Sequence, residues 1–543
     1  MDSKNIIQEF IAACCAAGTT HVFGVPGGGS NLDVVGTAQA QGLTFVLTHT
    51  ESAAAIMAGV AGELTGAPGV CIGTRGPGVA SMVNGIAQAM LDRQPVVAVT
   101  DNVAAKDATR VSHQRLDQQA LMGPITKQSI VLDGSDSAAP ARAVALATMP
   151  MPGPVHIDID LSAAEVPPVS MPIVECSGEV ERAAASVLVR DAQRPVIIVG
   201  LGAVMCAPTE RVAIQHAIAT LARRTNAPVV CTYKARGVVA DATSWCAGVM
   251  TGATIESPVL HAADCIIGVG FDPVELIPAP WPYSASIVQA TTWPIVDSTY
   301  FGDRVAVEVV GPIGETLAAF AGETASQWVE GDGQGFRRQA NAELCAVATE
   351  DPQGLTPQAV ITVARAVAPK GTIATVDAGA HMFAAMQLWE VEAPGELLIS
   401  SGLATMGFSL PAAIAAAILR PERSVICFTG DGGIGMVLAE LETLVRLGLP
   451  VVVVVFNDAK LSLIAAKQQP EGHGGGAAVD YYRTDFASIA EGFGMNGETI
   501  DNVADYEDAL RSALAAKVPA LLDVTVDPSA YARILDAVRG PRL

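Results

Sequence analysis

The chain has 543 residues, too many for one hydrophobic core, so two to four domains are expected. Half of the residues are hydrophobic and 16% are charged, and 55 acidic against 32 basic side chains leave a formal charge of −23. That balance argues against nucleic acid and anionic membranes as partners, and no apolar run nears the ~20 residues needed to span a bilayer.

The start, Met-Asp-Ser-Lys, does not read as a secretory leader, and ten scattered cysteines without a CxxC pair read as reduced thiols, so a cytoplasmic location is expected. Ser3 is placed to cap a first helix with Ile6, Ile7, Phe10, Ile11 and Cys14 on one face. His21–Val25 (HVFGV) reads as a strand, and Pro26-Gly27-Gly28-Gly29 as a turn that lets backbone approach a neighbour or ligand. Thr44–Thr50 is the next strand, and Glu51 opens an alanine-rich helix. At a bare helix start Glu51 would only complement the dipole; among Ala53, Ala54, Ala55 and Met57 it would be desolvated, with a raised pKa suited to proton exchange. Strands at Val70–Thr74 and Pro95–Asp101 flank Arg75-Gly76-Pro77-Gly78, and His113-Gln114 lies in the polar stretch beyond. Gly153–Asp160 closes this block, and the proline-rich run Pro167–Pro172 reads as a linker.

A second block runs through strands at Pro195–Gly200, Ala227–Tyr233, Ala263–Asp272 and Val305–Gly311. Gly200-x-Gly202 is a fragment of a dinucleotide fingerprint and reads as a plain turn. A polar connection, Glu323 to Glu343, leads to a third block with Thr372–Gly379, the turn Gly379-Ala380-His381, and Ser401–Gly407. Alternating strands and helices in each block predict an α/β fold of three doubly wound parallel sheets.

The most informative stretch is Val425–Asp458. Val425–Thr429 reads as a strand, Gly430-Asp431-Gly432-Gly433 as a turn, Leu438 to Leu447 as one helix stopped at Gly448, and Leu449–Phe456 as a strand buried on both faces. Asp431 and Asp458 then fall at the carboxyl ends of two strands one helix apart, where ligands of parallel sheets bind. Two adjacent carboxylates need a shared proton or a cation, and glycines before a helix start welcome phosphate. The local reading is a Mg²⁺–diphosphate site, set against a pair of merely exposed strand-end acids. Beyond it, Lys467–Gly476, including His473, reads as a mobile loop, and Pro519–Asp527 as a last strand.

Gly-Asp-Gly followed by Asn457-Asp458 resembles the signature of thiamine-diphosphate-dependent enzymes. With VFGVPG (Val22–Gly27), Glu51, Gly76-Pro77-Gly78 and Thr405-Met406-Gly407 in register, the chain is similar to the acetolactate synthase and pyruvate decarboxylase branch, and most to catabolic acetolactate synthase. The resemblance implies a pyrimidine-binding domain (1–165), a middle domain (185–325), a diphosphate-binding domain (350–530) and a C-terminal tail (531–543). It implies Mg²⁺ held by Asp431, Asp458 and the carbonyl of Lys460. Glu51 would hydrogen-bond the aminopyrimidine and activate the cofactor, the Ala404 carbonyl would accept from the ring amino group, and Met406 would prop the bent cofactor. Gly379, Ala380, His381, Gly430, Gly432 and Gly433 would surround the diphosphate. Sites would form between subunits, in a homodimer or homotetramer.

Aldehyde-releasing relatives carry an acid in the first glycine turn, a His-His pair, and an acid after the metal-binding pair; here Gly28, His113-Gln114 and Ile464 stand at those places. Fewer proton donors favour attack on a second carbonyl, so decarboxylation of a small 2-oxo acid followed by carboligation to a carbonyl acceptor is expected. GFDPVEL (Gly270–Leu276) stands where flavin-containing synthases carry arginines, so FAD is not expected. Gly28-Gly29-Ser30 lacks the basic residue of catabolic synthases, and the segment after Asp458 lacks an aromatic residue often found there. This keeps open a simple 2-oxo acid decarboxylase, or a lyase or acyltransferase like benzaldehyde lyase or sulfoacetaldehyde acetyltransferase. A cofactor-binding subunit without turnover is the reading outside enzymes.

Overall fold

Short β-branched runs alternate with helices along the chain and build three six-stranded sheets, every strand pair parallel. The computed structural model describes residues 3–102, 113–134, 136–159, 175–276, 280–295, 298–320, 322, 324–346, 353–467 and 476–539. The expected linker Pro167–Pro172 and, from the expected mobile loop, residues 468–475 with His473 lie outside them.

The first sheet holds β1 (His21–Val25), β2 (Thr44–Leu47), β3 (Gly69–Gly73), β4 (Val96–Asp101), β5 (Gln128–Leu132) and β6 (Val155–Ile159), in the order β2-β1-β3-β4-β6-β5. The second holds β7 (Pro195–Val199), β8 (Val229–Cys231), β9 (Cys246–Val249), β10 (Cys265–Val269), β11 (Ser286–Thr291) and β12 (Val305–Val310), in the order β12-β11-β10-β7-β8-β9. The third holds β13 (Ile373–Val376), β14 (Leu397–Ile399), β15 (Val425–Gly430), β16 (Val451–Asn457), β17 (Asn496–Ile500) and β18 (Ala520–Thr525), in the order β14-β13-β15-β16-β18-β17. In each order the winding turns back on the far side of the first strand, between β1 and β3, β7 and β10, and β13 and β15. Such reversals open a crevice at the strands' carboxyl ends. The doubly wound α/β expectation is borne out.

The chain divides into two compact units, the first around the N-terminal sheet and the second around the middle and C-terminal sheets. Within the second unit a buried knot ties middle to C-terminal domain. Arg236 pairs with Asp241 and donates to the Trp389 carbonyl (2.9 Å), Asp241 accepts the Val391 amide (2.9 Å), and Lys234 donates to the Ile399 carbonyl (3.0 Å).

Three local expectations need correction. The expected turn Gly430–Gly433 is mostly helical, because a short helix, Asp431–Val437, starts at Asp431; the expected helix follows as Glu440–Leu447, closed by Gly448 in the left-handed region (φ 61°). The polar connection before the third block contains a helix, Asp332–Cys345, that buries Gly333, Arg337 and Leu344. The segment expected as a tail forms most of a helix, Ser529–Arg539, whose Tyr531, Ile534, Leu535 and Val538 join the C-terminal core. In each case tertiary burial of a few side chains overrides a weak local pattern.

Candidate active site

The C-terminal reversal sets the site. β15 is buried along its length and ends at Gly430, so Asp431 becomes the first residue of the helix Asp431–Val437. One strand over, β16 ends at Asn457 and delivers Asp458. Ala459 follows with φ 57°, a left-handed conformation that costs a non-glycine residue free energy, and it turns the Lys460 amide back on the acids. That single N–H lies 3.2 Å from Asp431 Oδ2 and 3.0 Å from Asp458 Oδ1. The two predicted metal acids are thus neighbours, spanned by the backbone of the third predicted ligand. Asp431 Oδ1 also accepts the Gly432 amide (2.7 Å), and Asp458 Oδ2 the Ser462 hydroxyl (2.6 Å). The Lys460 carbonyl accepts the Ser462 amide (2.9 Å) and keeps a second lone pair.

Electrostatics follow from crowding two acids in a half-dry place. Desolvation raises both carboxyls; that of Asp458 reaches about 7, with the Asp431 charge adding to burial. A cation between them would remove that cost. Among the described residues no group of three or more His, Cys, Asp or Glu is arranged to hold a metal. Any ion would therefore draw on the two acids, a carbonyl and outside oxygens, a pattern suited to a small hard cation sharing phosphate.

The acids open into a cavity of about 320 Å³ that also takes in Gly379, Ala380, His381, Ala404, Met406 and Gly430 to Gly433. Predicted residues from four separate segments meet there. Glycine is demanded by packing at Gly433, where a Cβ would stand 2.2 Å from Asp377 Oδ2, and a Cβ on Gly432 would meet Met406, Leu461 and Tyr481 at 3.2 Å. His381 stacks on Phe456 (4.9 Å, 24°), and burial lowers its pKa to about 4, leaving it neutral. Its Nε2 is buried with no partner among the described residues. Ala404 sits at φ 53°, just before Met406. A cavity with paired acids, a helix start and an imidazole nitrogen without a partner among the described residues fits a metal diphosphate.

Asp377, at the end of β13, went unnoticed in the sequence and organises the cavity. It accepts the amides of Gly407 and Phe408 (both 3.1 Å) and the Thr429 hydroxyl (3.0 Å), pinning the Met406 loop to β15. Complete burial raises its carboxyl to about 6 despite these bonds. Its only trace was an acid at a strand end, the same signal that marked Asp431.

In the N-terminal unit, Thr50 caps the helix Glu51–Thr65 by accepting the Ala53 amide (3.1 Å). Glu51 lies against Gly73 and Gly78, where a Cβ would come within 3.2 and 3.1 Å of its side chain. Residues 53–64 of the helix are buried, but Glu51 is only half-buried in the single chain, which corrects the expected desolvation. As the first helical residue it projects past the buried stripe. Gly28 is exposed, and a Cβ there would meet nothing within 4 Å. His113 and Gln114 are exposed, with Gln114 at φ 57° and its backbone packed on Gly76.

Buried Gln118 was also missed: its Oε1 accepts the Gly76 amide (2.8 Å), and its Nε2 donates to the Asp101 carbonyl (3.1 Å) and Asp158 (2.9 Å). Asp101 in turn holds Asn31 (2.8 Å) and the Arg75 amide (3.0 Å), locking both turns of this reversal in place.

Comparison with known families agrees along the chain. The N-terminal TPP binding domain of thiamine pyrophosphate enzymes matches residues 5–121, their central domain residues 181–320, and their C-terminal TPP binding domain residues 377–524. The chain belongs to the thiamine pyrophosphate enzyme family. The acetolactate synthase large subunit of Parasynechococcus marenigrum (strain WH8102) is 30% identical over 94% of this chain and 85% of its own length. Acetolactate synthase of Bacillus subtilis (strain 168) is 28% identical over 97% of this chain and 94% of its own length. The catabolic acetolactate synthase of Raoultella terrigena is 28% identical over 94% and 93%. The resemblance read from the motifs is therefore borne out: this is a thiamine-diphosphate-dependent enzyme of the acetolactate synthase family. No helix among the described residues is long and apolar enough to cross a membrane, and all ten cysteines are free thiols.

Proposed function

We propose that the enzyme decarboxylates a small 2-oxo acid such as pyruvate and ligates the remaining fragment to a second carbonyl compound, in the manner of acetolactate synthase, using thiamine diphosphate and Mg²⁺. The observation that carries this reading is the Asp431–Asp458 pair spanned by the Lys460 amide at the mouth of a glycine-lined cavity. Bound thiamine diphosphate supplies a nucleophilic carbon and an electron sink for loss of carbon dioxide.

The chain supplies the rest. Asp431, Asp458 and the Lys460 carbonyl would hold Mg²⁺, while the Gly432 and Gly433 amides and His381 Nε2 would face the diphosphate. Ala404 and Met406 would orient the cofactor's rings. Glu51 would exchange a proton with the aminopyrimidine, and its half-exposure in one chain supports a site completed by a second copy, as do exposed Leu32, Leu47, Leu116 and Leu121 in the same unit. We therefore assign a homodimer or a homotetramer built from it, acting on small molecules, in the cytoplasm, without FAD.

The choice of ligation over aldehyde release rests on the residues that stand where aldehyde-releasing relatives carry proton donors. Gly28 offers no side chain where an acid would protonate the product, and Ile464 places an apolar group on the cavity wall. With His113-Gln114 the remaining polar pair, fewer donors stand ready to quench the bound fragment before a second carbonyl arrives. The test is incubation with pyruvate, thiamine diphosphate and Mg²⁺. Acetoin after acid treatment is the expected product; free acetaldehyde alone would overturn ligation. Glu51→Gln should keep cofactor affinity and lose turnover by about 10²–10⁴-fold; full turnover would remove Glu51 from its role.

A further inference from the structure

The helix Ser529–Arg539 brings one more polar group to the cavity. Tyr531 is 2% exposed, and its side chain forms part of the same wall as Asp431, Asp458 and His381. The helix is fixed at both ends. Asp527 accepts the Ser529 amide (2.8 Å) at its start. Near its end the Val538 carbonyl accepts the amides of Thr254 (3.3 Å) and Ile255 (3.2 Å) and the Thr254 hydroxyl (3.1 Å). Ala530, Ile534, Leu535 and Val538 are buried in the C-terminal core between these anchors. Tyr531 is thus presented by a rigid element.

No hydrogen bond to the described residues uses the Tyr531 hydroxyl. A phenol is protonated at neutral pH, so the hydroxyl stands ready as a donor. A phenylalanine would pack as well, so the hydroxyl calls for an acceptor beyond the described residues. His381 Nε2, in the same cavity, likewise has no partner among the described residues, and two such polar atoms point to one polar ligand.

We propose that Tyr531 is a cofactor-binding residue that donates its hydroxyl hydrogen bond to the phosphate end of the diphosphate held at Asp431 and Asp458. This rests on the thiamine-diphosphate reading and extends the site beyond residues 377–524, where the C-terminal family match ends. It also makes the helix Ser529–Arg539, clasped by the middle domain through Thr254 and Ile255, a structural part of cofactor retention.

The test compares Tyr531→Phe with the parent chain by titration calorimetry, using thiamine diphosphate with Mg²⁺ and, separately, inorganic pyrophosphate with Mg²⁺. Both affinities should fall by about 10- to 100-fold, the range for a hydrogen bond to a charged group. Tyr506→Phe is the control, because Tyr506 is fully buried in the same core and its hydroxyl has no partner there. The proposal stands if Tyr531→Phe weakens both probes at least tenfold more than Tyr506→Phe does. Unchanged pyrophosphate affinity, or equal losses in the two variants, would overturn it. Failure of the parent chain to bind thiamine diphosphate would instead refute the cofactor reading.

Discussion

The middle and C-terminal sheets reverse direction at a glycine turn, yet the two turns end in opposite states. After β15 the chain enters a helix directly, Asp431 and the Gly432 and Gly433 amides line a cavity, and Asp458 stands beside them. After β7 the turn Gly200-Leu201-Gly202 is closed by protein. The Gly202 amide donates to the Gly270 carbonyl (2.9 Å), and the Glu275 carboxylate accepts the Leu201 amide (2.8 Å). Backbone and carboxylate thus take the amides that a phosphate would use. Topology provides a crevice in both domains; what stands over the turn decides whether a ligand can enter.

That contrast is open to attack, most strongly at the acids. Changing residues that only hold a metal's ligands in place already costs ~10–100-fold in affinity, so losing a direct ligand in Asp431→Ala should lower Mg²⁺–thiamine diphosphate affinity by more than about 100-fold. Unchanged binding by calorimetry would show that the open turn is not the site.

The glycines come next. Gly433→Ala would place a Cβ 2.2 Å from Asp377 Oδ2, and Gly202→Ala one 2.8 Å from Gly270 Cα. Both should cost about 1–3 kcal/mol in stability through overpacking, measured by denaturant unfolding, but only Gly433→Ala should also weaken the cofactor. Equal effects on cofactor affinity would erase the distinction between the turns.

Removing the plug sharpens it further. Glu275→Ala leaves the Leu201 amide without its acceptor and should cost about 1–3 kcal/mol. Thiamine diphosphate affinity should hold, and ADP should still not bind, because the Gly202–Gly270 backbone contact remains. Nucleotide uptake by this variant would mean that one side chain separates the two states.

A last effect is one of pH. His381, under the open turn, is held neutral with its pKa lowered from 6.5 to about 4. The unfolded chain takes up a proton there as pH drops below about 6.5 while the folded chain does not, so stability falls with pH until about 4. Each pH unit in that window removes about 1.4 kcal/mol at this residue. His381→Gln should flatten the acid side of a melting-temperature profile, and an unchanged slope would place the neutral imidazole elsewhere.

Much of the site was written into local patterns. β-branched runs between helices announced parallel sheets, and an acid or glycine at a strand's carboxyl end marked the crevice, because those residue types have few other reasons to stand there. That logic reached Asp431, Asp458, Gly432 and Gly433, the family resemblance added His381, and the fold brings all five to one cavity. The same logic applied to Gly200-x-Gly202 pointed to a plain turn. The short strands β5, β9, β11, β14 and β17 escaped it, because three to six residues carry little periodicity of their own.

By itself, then, the sequence determined the sheet class, the three blocks and the residue types at the strand ends, all of which depend on spacing along the chain. Only the tertiary structure decided that Asp377 pins the Met406 loop, that Gln118 and Asp101 lock the N-terminal turns, that Glu275 fills the middle-domain crevice, and that Tyr531 reaches the cavity. Each depends on contacts between segments tens to hundreds of residues apart, and no local propensity encodes which distant backbone amide a buried carboxylate or hydroxyl will meet.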